Sequence, residues 1–137
     1  MKSVKSLSRI AIAAGLVFTL ISGTMQAQVK TKKHTKKILF VVTSHNKKGS
    51  TGQPTGYYLS EVSHPWDVLV NAGYEIDFVS PEGGNAPVDG FNLEDPINKK
   101  FWNDAVYHKK IENTLKPNQV NPNDYVAIHY AGCLLYT

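Results

Sequence analysis

Few side chains in this 137-residue sequence can do chemistry. There is one cysteine, Cys133. It has no partner for an internal disulfide, though it can oxidise or pair between chains. Among the histidines, His45 follows an apolar run, so it reads either as pocket-lining or as plainly exposed. His129 lies inside a second apolar run and reads as a hydrogen-bonded core residue. Glu61 sits between Leu59 and Val62, a position that a solvated helix residue would also occupy. Glu61 and His129 would be two ligands of a metal pair. Two ligands this far apart in sequence make a poor metal pattern, so no metal and no cofactor are expected. Finally, Tyr130-Ala131-Gly132 brings a run of strand-forming residues to a small residue and then glycine. An α/β enzyme turns sharply at such a point to present backbone N–H groups or a nucleophile.

The elements that would position these residues follow from periodicity. Lys37 to Thr43 (KILFVVT) is a continuous apolar run with β-branched residues, which suits a strand buried on both faces. The polar stretch Ser44 to Gly56 carries three glycines and Pro54, and predicts a long loop after that strand. From about Tyr57 to Ala72, Leu59, Val62, Trp66, Leu69 and Val70 recur at helical spacing. Gly73 is the expected C-cap, and Pro65 is expected to kink or split the helix. Trp66 is assigned to the core. Tyr74 to Ser80 alternates apolar and polar residues up to Pro81, which predicts a second strand near an edge. Strand, helix, strand in that order predicts a parallel, right-handed crossover. Pro81 to Gly90 reads as a loop, and Asn98 to Leu115 as a single helix with Phe101, Ala105, Ile111 and Leu115 near one face. Tyr125 to Ala131 is the third predicted strand, after the turn residues Asn121 to Asp124. In an open parallel sheet, ligands gather at the carboxyl ends of the strands. The loops after Thr43 and Ser80 and the break after Ala131 meet at that edge.

Charge and hydropathy divide the chain. Lys2, Lys5 and Arg9 precede an apolar run from Ile10 to Ile21, and small and polar residues follow up to Ala27. This is the layout of a secretory signal peptide, and the run is shorter than the roughly 20 residues a spanning helix needs. Residues 1–27 are therefore expected to be a cleaved signal, leaving no stable membrane anchor and an exported product, periplasmic or secreted. Residues 28–37 form a basic linker, and 38–137 the folded part. The formal charge of +4 misleads, because all 11 acidic residues but only 7 of the 15 basic ones lie from Ile38 onward. A nucleic-acid binder carries its positive charge on the folded surface, so nucleic acid is not an expected partner.

Four segments together carry a resemblance. Lys37 to Ser44 (KILFVVTS) and Gly56 to Trp66 (GYYLSEVSHPW) are the first two. Ala72 to Gly84 (AGYEIDFVSPEGG) and Asn123 to Gly132 (NDYVAIHYAG) complete the set. The sequence resembles the ThiJ/PfpI family, also called class I glutamine amidotransferase-like proteins, in the branch that includes glyoxalase III and chaperone-type members. The resemblance implies an α/β fold with a parallel, flavodoxin-like doubly wound sheet, here truncated after the third predicted strand. It implies that Glu61 points into the site beside a reactive cysteine, as a proton donor or acceptor. A carboxyl and a thiolate in a partly dry pocket can share a proton. His64 and Pro65 are implied to be structural. Intact relatives are implied to be cysteine-dependent hydrolases or glyoxalase III-type enzymes acting on small reactive carbonyls such as methylglyoxal, and often to dimerise.

The sequence then departs from the family pattern. Where the family continues Ala-Gly-Gly-His-Gly, this chain reads Ala131-Gly132-Cys133-Leu134-Leu135-Tyr136-Thr137. The family nucleophile and its histidine come later, so Cys133 is not that nucleophile. The expectation is a truncated product, consistent with a frameshift or premature stop, that is inactive alone and marginally folded because sheet edges and apolar faces stay uncovered. The alternatives are a periplasmic chaperone-like binding module and a non-functional gene fragment.

Overall fold

The computed structural model describes residues 35–132. The assigned signal peptide, most of the basic linker, and Cys133 to Thr137 lie outside the described residues.

In chain order the strands are β1 (Lys37–Val41), β2 (Lys47–Lys48), β3 (Gln53–Pro54), β4 (Tyr57–Tyr58), β5 (Glu75–Val79), β6 (Val88–Asp89) and β7 (Tyr125–Tyr130). The helices are α1 (Leu59–Asn71), between β4 and β5, then α2 (Pro96–Asn103) and α3 (Ala105–Glu112), between β6 and β7. The main sheet has the order β5-β1-β7, with both pairings parallel. The uniformly apolar run thus lies in the middle, with Ile38, Leu39 and Phe40 all buried. The alternating run becomes β5, an edge strand among the described residues. Lys37 faces Tyr125, and a bulge then resets the register so that Phe40 lies beside His129.

One apolar cluster unites these elements. Ile38, Phe40 and Val42 from the middle strand and its end meet Ile76 and Phe78 of β5. Leu59, Val62 and Trp66 of α1 close over them, with Phe101 of α2 and Ile111 of α3. Trp66 and Phe101 meet edge to face at 5.2 Å. Each such side chain contributes about 1.5–3 kcal/mol by leaving water. The Trp66 indole N–H is buried without a hydrogen-bond partner.

The end of α1 follows from its sequence. Gly73 has φ +88°, a conformation that a side chain disfavours. Its N–H donates to Val70 O, and Tyr74 N–H donates to Leu69 O. These two bonds satisfy helix-end carbonyls in the Schellman pattern.

Several expectations need correction. Tyr57 and Tyr58 are not helical: they extend to pair in parallel with Val88 and Asp89, so α1 begins at Leu59 and the loop before Gly90 contains a strand. The loop from Ser44 to Gly56 holds the β2–β3 hairpin. Pro65 does not split α1, which runs unbroken to Asn71.

The single helix expected over Asn98 to Leu115 is two helices, and it starts earlier. Asp95 caps α2 by accepting from Ile97 and Asn98 N–H, with Pro96 in the first turn, where its missing N–H costs nothing. Asp104 ends α2 and caps α3, accepting from Val106 and Tyr107 N–H at 3.0 Å each. A carboxylate that satisfies first-turn donors starts a new helix where periodicity alone would continue the old one. Ala105 is consequently exposed rather than facing the core. Leu115 lies beyond α3, bridging to Val79.

A charged cluster ties the amino ends of the main strands to α3. Lys110 Nζ donates to Asp77 Oδ1 at 2.8 Å, to Ile76 O at 2.9 Å and to Glu75 Oε1 at 3.0 Å. Lys37 Nζ reaches Asp77 Oδ2 at 3.0 Å, and the Tyr125 hydroxyl donates to the same oxygen at 3.1 Å. Burial alone would raise the Asp77 carboxyl; hydrogen bonds from Lys110 and Lys37 outweigh it and hold the group below the usual carboxylate range.

Candidate functional site

Glu61 stands in the first turn of α1, where the helix dipole favours negative charge. Its carboxylate crosses to the end of β7, where Gly132 N–H donates to Oε2 at 2.6 Å. Gly132 follows the last strand residues with φ +89°, and a Cβ there would meet nothing closer than Tyr57 Cα at 3.9 Å. Its backbone angle, not lack of space, therefore favours glycine, and that angle aims the N–H at Glu61.

This contact lies at the wall of a cleft of about 640 Å³, within the roughly 300–1,000 Å³ typical of small-molecule sites. Thr43 and His45 line it from the segment after β1, Lys48 from the hairpin, Asp89 from β6, and Glu61 and Gly132 from the far wall. The site thus occupies the carboxyl edge of the sheet. The segments after β1 and β7 meet there as expected. The segment after β5 contributes at its far end, through Asp89, because β6 pairs with β4 directly before α1. Asp89 is itself held in place: Oδ1 accepts from Gly90 N–H at 2.7 Å, and Oδ2 from the Thr55 hydroxyl at 3.3 Å.

The other singled-out residues separate by role. His45 lines the cleft and is also exposed, so both of its sequence readings hold. His64 reaches the start of α2, with Nε2 3.0 Å from Oδ2 of its capping residue Asp95. Trp66 is core. His129 is half-buried and hydrogen-bonded, and it meets the backbone carbonyl of Glu61 rather than its carboxylate. Among the described residues, no three metal-ligating side chains come together. Lys48, Thr55 and Asp89 were not singled out in sequence. The polar loop did point to the first two, but nothing local pointed to Asp89.

The arrangement is a carboxylate, oriented by a backbone donor, at the edge of an open polar cleft. It can take up or return a proton to a small molecule seated there. It brings no thiol with it among the described residues.

No family model matches the chain. Individual proteins do. Over 97 residues the chain is 32% identical to the glutathione-independent glyoxalase HSP31 of Saccharomyces cerevisiae, covering 66% of this chain and 40% of that protein. Over 95 residues it is 30% identical to glyoxalase 3 of Candida albicans, covering 65% and 40% respectively. Among solved structures, the Francisella tularensis Rapid Encystment Protein 24 kDa aligns with a TM-score of 0.66 at 36% identity, over 72% of this chain and 44% of that one. Candida albicans glyoxalase III aligns with a TM-score of 0.58 at 28% identity, over 69% and 42%. The chain thus spans about 40% of the length of the curated relatives it matches.

Proposed function

This chain belongs to the ThiJ/PfpI family, with its flavodoxin-like α/β fold, and on that premise we propose that it carries the acid/base half of a glyoxalase-type site for a small reactive carbonyl. The supporting observation is the Glu61 carboxylate held by Gly132 N–H at the wall of the cleft. Converting an α-oxoaldehyde such as methylglyoxal to a 2-hydroxy acid adds one water and requires a proton to move between adjacent carbons. Glu61 is the group in this cleft suited to carry it. A cysteine thiolate would activate the carbonyl by adding to it. Cys133 is the sole cysteine of the sequence, and on the family pattern it does not occupy the nucleophile's position. The 137 residues by themselves are therefore proposed to bind such a carbonyl without turning it over.

Two measurements test this. Titration with hydroxyacetone, an unreactive analogue of the substrate, should move the backbone amide resonances of Thr43, His45, Glu61 and Gly132 saturably. Shifts confined to other parts of the chain would sink the binding reading. Methylglyoxal should disappear at the buffer rate in the presence of the chain. A faster loss that vanishes in Glu61→Gln would overturn the claim that the chain is inert alone.

A second reading, a chaperone-like binding module, is favoured by the exposed apolar side chains of Val126, Ile128 and Tyr130 on β7. Suppression of client aggregation by soluble protein would support it, and binding only by aggregated material would remove it. For either reading we propose export through residues 1–27. Recovery of the chain in the cytoplasmic fraction at its uncleaved mass would refute that.

A further inference from the structure

Glu61 is tied to β7 twice. Besides the carboxylate bond to Gly132, its backbone carbonyl lies 3.1 Å from His129 Nε2. That carbonyl is open for a covalent reason. Within an α-helix it would accept the N–H of the residue one turn later, but that residue is Pro65, which has none. The first turn of α1 also lacks side-chain capping, since Tyr58 makes no cap hydrogen bond. The residue one turn on therefore cannot supply the usual donor to the Glu61 carbonyl, and the strand supplies one through His129. His129 is well placed to do so. Its ring lies 4.5 Å from that of buried Phe40, its neighbour in the β1–β7 register. His129, Pro65 and Glu61 line a common depression of about 430 Å³ between α1 and β7.

We propose that His129 is the positioning residue for Glu61. By donating its Nε2–H to the carbonyl that Pro65 leaves open, it holds the first turn of α1 against β7, so that the carboxylate keeps its bond to Gly132. The role matters because catalytic groups tolerate little displacement: a shift of about 1 Å can cost on the order of 100-fold in rate. The catalytic meaning rests on reading Glu61 as the acid/base group. The geometry and its test do not.

The test uses the full chain, ¹⁵N-labelled, and reads the Gly132 amide and the His129 ring. In the wild type, the Gly132 amide proton should lie downfield and exchange slowly, and His129 should carry its proton on Nε2. His129→Ala should move the Gly132 amide upfield and lower its exchange protection about tenfold, the equivalent of one hydrogen bond. His129→Gln, which keeps an N–H donor of similar reach, should restore the signature.

Pro65→Ala separates positioning from simple satisfaction of the carbonyl. It returns an in-helix donor, so Pro65→Ala combined with His129→Ala should regain stability but leave the Gly132 amide displaced. Recovery of that amide in the double variant would overturn the proposal, and so would an unmoved amide in His129→Ala. Glu61→Gln keeps the carbonyl and should leave the His129 tautomer unchanged. Failure of the acid/base reading is therefore distinguishable from failure of this one.

Discussion

Replacing Asp77 by asparagine keeps the side chain's shape and removes its charge from the cluster at the amino ends of the strands. The Asp77 side chain is 15% exposed, and its two lysine partners are 27% and 32% exposed, so solvent screens these pairs only in part. After the change, Lys110 keeps Glu75 and the Ile76 carbonyl. Among the described residues, Lys37 keeps only Glu75, at 3.6 Å. A hydrogen bond to a charged group contributes about 1.5–3 kcal/mol. Three such bonds are weakened, from Lys110, Lys37 and the Tyr125 hydroxyl; they are not additive, and Lys110 retains partners, so the expected loss is about 2–4 kcal/mol. For a domain of this size that is a fall in Tm of roughly 10–20 °C.

The pH dependence gives the sharper reading. A carboxyl held below its unfolded value adds stability that is fully present above the ordinary carboxylate range and lost as pH falls through its folded value. Urea midpoints of wild type and Asp77→Asn should therefore differ at pH 7 and converge as pH falls below about 4. At the alkaline end the signs reverse. Tyr125 is pushed up to about 12, first by burial and then by Asp77. Lys110 is raised because its bonds to Asp77 and Glu75 outweigh burial. Both groups favour the protonated form in the folded state, so stability should fall as pH climbs above about 10. A wild-type-to-variant gap that is equal at pH 7 and pH 2.5, or smaller than about 0.5 kcal/mol at pH 7, would refute this account.

Two further outcomes are expected. Asp104→Ala should cost about 1 kcal/mol by removing the cap of α3, while Asp104→Ser retains most of it; urea unfolding at constant slope measures this, and a neutral Ala variant would mean that the cap contributes nothing. Gly56→Ala should cost about 2 kcal/mol or more, because its Cβ would sit 2.0 Å from the Pro87 carbonyl oxygen and force β4 and β6 apart. Hydrogen exchange at Tyr57, whose N–H donates to Pro87 O at 2.9 Å, should accelerate with it.

The strands of the main sheet were readable in sequence because burial writes itself locally. Ile38 to Phe40 is apolar throughout since β1 is covered on both faces, and the alternation over Tyr74 to Ser80 matches an edge strand. What escaped was decided by competition or by distance. The apolar period crosses Asp104 without a break, but the capping carboxylate wins there; the Asp95-Pro96 pair carried the same kind of signal for α2. The extended state of Tyr57 and Tyr58 depends on Val88 and Asp89, and no local pattern encodes a pairing of two residues with two. For the site, Glu61 emerged from the motif around it rather than from its own spacing. The tie between His129 and its carbonyl was out of reach, because it needs both Pro65's missing donor and the β1–β7 register.

That register also bears on how the chain folds. β1 finds its partner β5 after roughly 40 residues but meets β7 only after roughly 90, and doubling a loop adds merely about 0.6 kcal/mol to its closure. The entropic handicap of the distant strand is therefore small, and the larger delay is one of synthesis. As the polypeptide emerges amino end first, β1, α1 and β5 can assemble as a unit, with one side of β1 waiting for its second neighbour. Glu61 rides on that early unit and Gly132 follows β7, so the contact that defines the candidate site forms only when β7 pairs with β1.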